Sequence, residues 1–224
     1  MFTNPASTES PGSAAEERRR MVQAQLRARG VRAERVLVAM GKVPREEFAS
    51  AASLSEAYGD HPLPIGAGQT VSQPYIVAAM VEALEIEPGD RVLEIGTGTG
   101  YEAAVLGELA ADVWTIERIP ELAARAREVL SRLDYRHVHV VEGDGSRGLP
   151  EHAPFQKILV AAAAPAVPHS LFEQLNEGGR LIAPVGSRTE QQLYVVRKIN
   201  GQMVAAARDL CRFVPLVGEE GWQQ

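Results

Sequence analysis

Cysteine occurs once in the 224 residues, at Cys211, so no disulfide can form within the chain, and this usage fits a reducing compartment. Among Val, Leu and Phe, Cys211 reads as a small apolar packing residue rather than a nucleophile. No stretch approaches the roughly 20 apolar residues that cross a bilayer, which points to a cytoplasmic protein with no membrane partner. Positive charge is not in excess either. The formal net charge is -6, whereas binding to nucleic acid needs a concentrated basic face, so no nucleic-acid partner is expected. The basic run Arg18-Arg19-Arg20 follows Glu16 and Glu17 and reads as a solvated helix face. There is no G-x-S-x-G elbow. His137 and His139 share one strand face, but no third ligand accompanies them, so no metal is expected. Residues 1–15 lack the apolar core of a secretory signal and, rich in Pro, Ser, Thr, Gly and Ala, read as a disordered leader.

What is present is an ordinary globular composition, 45% hydrophobic and 23% charged, with enough length for a sizeable core. From Glu16 to about Gly41 two short helices are expected, the first capped by Gly30 and the second stopped by Pro44. Residues 44–68 carry Pro and Gly among mixed residues and read as irregular. Beyond Pro88-Gly89-Asp90 the pattern alternates. RVLEIG, DVWTIE, HVHVVEGD, KILVAAAA and GGRLIAPVG are short apolar runs, with helical segments such as YEAAVLGELA and ELAARAREVLSRL between the first three. Such alternation predicts parallel βαβ units with helices on both faces of a sheet. A final antiparallel pair turns at Asn200-Gly201. The expected fold is α/β: a doubly wound, mostly parallel, Rossmann-like sheet behind an N-terminal helical extension. Residues 16–224 are expected to form one domain, with the extension and a loop over 16–75 and the core over 76–224.

The loop Glu94-Ile95-Gly96-Thr97-Gly98-Thr99-Gly100-Tyr101 follows a strand and precedes a helix. Glycines there let the backbone approach a ligand without a Cβ clash. A dinucleotide fingerprint would need its third glycine where Tyr101 stands, which disfavours NAD but leaves it open. Glu117 ends the next strand and is placed to accept from both hydroxyls of a ribose. A third strand ends at Asp144-Gly145. Three successive strand ends thus bring Gly or a carboxylate to the carboxyl edge of the sheet, where ligands bind in open α/β folds. A glycine turn, a ribose-binding acid and a further acid, with nothing basic for a pyrophosphate, point to S-adenosylmethionine.

With those residues stand GQTVSQP (68–74), VPREEF, EGDGSRG, the AAAAP run and the terminal RFVPLVGEEGW. Together they resemble the protein-L-isoaspartate O-methyltransferase family over about Met21 to Trp222. The resemblance implies a seven-stranded class I methyltransferase fold. It also implies repair of aged proteins, by methylation of the α-carboxylate exposed at an isoaspartyl linkage; the ester then closes to a succinimide. It places Thr70, Val71 and Ser72 at the site, with Ser72 matching the active-site serine. Gly96, Thr97, Gly98, Thr99 and Gly100 would serve the methionine part of the cofactor, Glu117 the ribose, and Asp144 with Gly145 the adenine edge, with Thr70, Val71 and Glu94 also among the cofactor-binding residues. Substrates would be isoaspartyl proteins and peptides, and the chain is expected to be a monomer. Gln156, Ala49-Ser50 and Val217 depart from the usual family residues, the last leaving the C-terminal contacts open.

Two tasks are open to Ser72. It, or Thr70, can cap the helix that begins near Pro74. It can also donate a hydrogen bond to a substrate carboxylate. A carboxylate with a pKa near ~4 is already an ionised nucleophile at neutral pH, so positioning rather than base catalysis is the expected contribution.

Overall fold

The computed structural model describes residues 13–49 and 53–223. Most of the leader of residues 1–15 therefore lies outside the described residues. Its end does not: Ser13 caps helix α1, Ala14–Arg20, in a reciprocal capping box with Glu16, so Ala14 and Ala15 belong to the fold rather than to a leader. The helical path continues as a π turn over Met21–Leu26 and a 3₁₀ turn over Arg27–Arg29, and Gly30 closes it at φ 104°. Helix α2, Glu34–Lys42, stops before Pro44 as expected.

The described part of residues 44–68 holds more regular structure than its composition suggests. Helices α3, Arg45–Phe48, and α4, Leu54–Ala57, are each a single turn, the second capped by Ser53. Strands β1, Leu63–Gly66, and β2, Gln69–Val71, then pair as a small antiparallel hairpin. Gly66, Ala67 and Gly68 at its tip all have positive φ, which is why a glycine-rich stretch closes a turn there.

The main sheet holds β3, Arg91–Ile95; β4, Asp112–Glu117; β5, Val138–Glu142; β6, Phe155–Val160; β7, Leu175–Gly186; β8, Gln191–Ile199; and β9, Gln202–Cys211. Its spatial order is β5-β4-β3-β6-β7-β8-β9. The first five strands are parallel, β8 runs against β7, and β9 runs against β8. This is the expected seven-stranded sheet, and the β8–β9 hairpin turns at Asn200 and Gly201, both at positive φ. Helices α5, Pro74–Leu84; α6, Tyr101–Gly107; α7, Pro120–Arg132; and α8, His169–Glu173, connect and cover it. Val92, Leu93, Val113, Ile158, Leu159 and Val160 are fully buried, the apolar filling that strands covered on both faces require; Glu94 and Thr115 are the fully buried polar exceptions on β3 and β4. The chain runs outward from β3 through β4 to β5, then crosses back to β6 on the other side of β3. That reversal opens a crevice at the carboxyl ends of β3 and β6.

Candidate active site

Gly96, Gly98 and Gly100 have φ of 96°, 54° and 88°, a region that side chains with a Cβ avoid. The loop therefore doubles back directly off β3. A Cβ on Gly96 would sit 3.6 Å from that of Ala161, so the small residues after β6 are matched to the loop's close approach. Glu117 ties the loop down. Its Oε2 accepts from the Gly98 amide at 2.8 Å and its Oε1 from the Ile119 amide at 2.9 Å. Each oxygen keeps a further lone pair for a ligand hydroxyl.

These groups wall a cleft of about 870 Å³, counted with its open mouth. Of the residues expected from sequence, Thr70, Val71, Ser72, Gly96, Thr97, Gly98, Thr99, Glu117 and Gly145 line it. Gly100 stands just behind, as the left-handed cap of α6. Glu94 is completely buried beneath the loop and receives the Thr115 hydroxyl, which also pairs with Thr97. Asp144 is committed elsewhere: Oδ1 accepts from the Ser146 amide and hydroxyl, and Oδ2 from the Glu219 amide at 2.8 Å. Backbone and hydroxyl donors outweigh its burial and hold the acid below the usual carboxylate range.

Ser72 lies between β2 and α5 on the cleft wall, and its hydroxyl makes no hydrogen bond within the described residues. It is not the cap of α5. Gln73 occupies that position without a side-chain cap, and Pro74 begins the helix. Ser72 is held instead through its carbonyl, by Arg45.

Arg45 went unread in the sequence. Its guanidinium is fully buried, donates to the carbonyls of Ala57 at 2.7 Å and Ser72 at 2.8 Å, and lies 4.6 Å over the Tyr101 ring. It makes no ion pair within the described residues, and burial lowers its pKa. An arginine beside apolar Val43 and Phe48 was the one signal for it. The C-terminal contacts, left open in the sequence by Val217, prove to be wall. Val214, Pro215, Leu216 and Val217 close one side of the cleft. They are pinned by Leu216 N to Ala163 O at 2.8 Å and the Trp222 indole to the same oxygen at 3.1 Å. Glu102, on the first turn of α6, completes the missed set; it lines the cleft at 7% exposure. Burial pushes its acid up to about 8 and raises Glu94 well above the carboxylate range. His137 and His139, by contrast, bond to Gly107 O and Asp112, away from the cleft.

Residues 16–221 match the family described as protein-L-isoaspartate(D-aspartate) O-methyltransferase. The chain belongs to that family. It is 59% identical over 206 residues to a protein-L-isoaspartate O-methyltransferase of Koribacter versatilis, covering 92% of this chain and 93% of that one. A relative of the same name in Methanoculleus marisnigri is 53% identical over 207 residues, with 92% and 94% covered. A solved protein-L-isoaspartate O-methyltransferase superposes with a TM-score of 0.83 at 33% identity, over 91% of this chain and 67% of that one. A Plasmodium falciparum structure in complex with S-adenosyl-L-homocysteine shares the fold, with a TM-score of 0.77 at 24% identity over 89% and 98%.

The cleft fits the cofactor this family uses, S-adenosylmethionine. The positive-φ glycines leave room for a ligand against the backbone, Glu117 keeps acceptor capacity, and Thr99 Oγ1 and Glu102 Oε1 are buried without a partner. Such orphaned groups are what a polar ligand satisfies.

Proposed function

We propose that this chain transfers a methyl group from S-adenosylmethionine to the α-carboxylate of L-isoaspartyl residues in damaged proteins and peptides, with Ser72 positioning that carboxylate. One observation carries the reading. A single cleft joins a glycine loop clamped by Glu117 to Ser72, whose hydroxyl makes no hydrogen bond within the described residues.

Bound there, the cofactor supplies a methyl group activated by sulfonium charge. Glu117 holds the ribose through its free lone pairs while its backbone bonds keep the loop shaped. Glu94 supports the loop from beneath through Thr115. Asp144 fixes Gly145 on the adenine side and anchors the C-terminal wall through the Glu219 amide. The acceptor carboxylate is ionised at neutral pH and needs no base. Ser72 donates a hydrogen bond to one of its oxygens and aims the other along the line of attack, the kind of alignment worth on the order of 7–11 kcal/mol in favourable intramolecular cases. Ala161 and Ala162 at the end of β6 keep the wall low enough for a peptide backbone to approach.

The same reading takes residues 16–224 as one methyltransferase domain, acting as a cytoplasmic monomer without a nucleic-acid partner. Among the described residues, no helix is long and apolar enough to cross a membrane.

The test uses two synthetic peptides that differ only in one aspartyl linkage, normal or iso. Each is incubated with the protein and methyl-labelled S-adenosylmethionine, and the methanol released as the ester breaks down is collected. Label from the isoaspartyl peptide alone is the expected result. Equal label from both, or none from either while the cofactor binds, would assign the cleft a different acceptor.

A further inference from the structure

Glu102 has no part in the chemistry above, yet it is a cleft-lining carboxylate whose Oε1 is buried without a partner. The charged and titratable groups around it come from several elements. Glu94 lies behind it on β3, and Glu117 stands on the same wall at the end of β4. Tyr101 is its neighbour on α6, with the Arg45 guanidinium from α3 stacked over that ring. Arg118 is the cation on the wall.

The cleft's occupant changes charge during the reaction. Before transfer its sulfur bears a positive charge, and afterwards it is a neutral thioether. Negative charge on a low-dielectric wall favours the cation over the neutral product, whichever way the ligand's amino-acid end points. We propose that Glu102 is a specificity-determining residue for the cofactor: its carboxylate sets how strongly the cleft prefers the sulfonium to the spent thioether, and hence how readily product leaves. This rests on the cofactor use argued above. Because burial holds the Glu102 acid up to about 8, its charge arises within ordinary buffer range. The preference for the cation therefore strengthens as pH rises through that value.

The experiment is calorimetric binding of S-adenosylmethionine and S-adenosylhomocysteine to the full chain without peptide, from about pH 6.5 to about pH 9.5. Wild type and Glu102→Gln are compared. The expected result is a product-to-cofactor Kd ratio that climbs roughly 5- to 10-fold in the wild type beyond any change in Glu102→Gln. The subtraction removes titration of the ligands' own amines. A second pair, 5′-methylthioadenosine and its S-methyl sulfonium, lacks the amino-acid amine altogether; its ratio should climb in the wild type and not in Glu102→Gln. Ratios that stay flat in the wild type for both pairs, or that climb equally in Glu102→Gln, would overturn the proposal. Failure of wild type to bind S-adenosylmethionine at all would instead overturn the cofactor use beneath it, a separate and recognisable outcome.

Discussion

The two ends of the sheet both gather polar side chains, and they treat them oppositely. Near the amino ends of β3, β4 and β5, Trp114 is stacked between His139 at 4.5 Å and His152 at 3.5 Å. Asp112 there accepts from the Trp114 indole and from His139 at 3.0 Å each, and from Arg91 at 3.2 Å. None of these residues has a buried polar atom left without a partner. At the carboxyl ends, Glu94, Thr99 and Glu102 each retain one, and three glycines hold positive φ. A polar cluster that satisfies itself is structure. One that leaves buried groups unpaired beside a loop that only glycine can shape is arranged for something it does not itself contain.

Substitutions that sharpen this contrast begin with Glu117→Ala. It removes the ribose acceptor and also releases the Gly98 and Ile119 amides, so cofactor binding should weaken by roughly 2–3 kcal/mol, about 30- to 150-fold in Kd by calorimetry. A change under threefold would deny Glu117 its role. Next, Arg45→Met leaves the carbonyls of Ala57 and Ser72 without their donor. The cost should be about 2–4 kcal/mol in denaturant unfolding, since each buried orphan costs about 1–3 kcal/mol. No loss at all would show that relief of the lone buried charge outweighs those bonds.

The acid pair supplies a pH dependence. Glu94 and Glu102 are held protonated by burial, so between the ordinary carboxylate value and the raised one the folded chain binds more protons than the unfolded chain. Stability should therefore fall as pH rises from about 4.5 toward about 8, and Glu102→Gln should flatten that decline in thermal melts. Stability rising across the window would contradict the burial of the pair. The smallest effect belongs to the other end of the sheet. His152→Ala loses one stacking partner of Trp114, about 0.5–1.5 kcal/mol of stability, and should leave methyl transfer unchanged; a fall in turnover would break the contrast.

The half of the site that is contiguous in sequence was legible. Glycines 96, 98 and 100 and the acid ending β4 follow from local spacing, because a loop must turn off β3 and a carboxylate must meet it from β4. The β8–β9 turn was equally plain, since Asn200 and Gly201 suit paired positive φ. The other half is assembled from afar. Arg45 reaches Ser72 across 27 residues, and Asp144 reaches Glu219 across 75. No periodicity encodes such contacts, which is why the C-terminal contacts stayed open in the sequence. Strand β1 fell in the segment read as irregular and β2 in the stretch read as a turn, because strands of four and three residues carry too little alternation to show. Glu102 was not singled out within the helical segment YEAAVLGELA, since its burial depends on how α6 packs against the cleft.

The separation of a cofactor wall from a substrate wall is tested most directly at Ser72. Cofactor Kd by calorimetry and single-turnover transfer to an isoaspartyl peptide should be measured together for wild type and Ser72→Ala. Positioning by the hydroxyl predicts a Kd within about twofold of wild type and a transfer rate lowered by about tenfold or more, the loss of one hydrogen bond to a charged acceptor. A cofactor Kd that collapses while transfer per bound cofactor stays at the wild-type rate would place Ser72 on the cofactor wall and contradict the account.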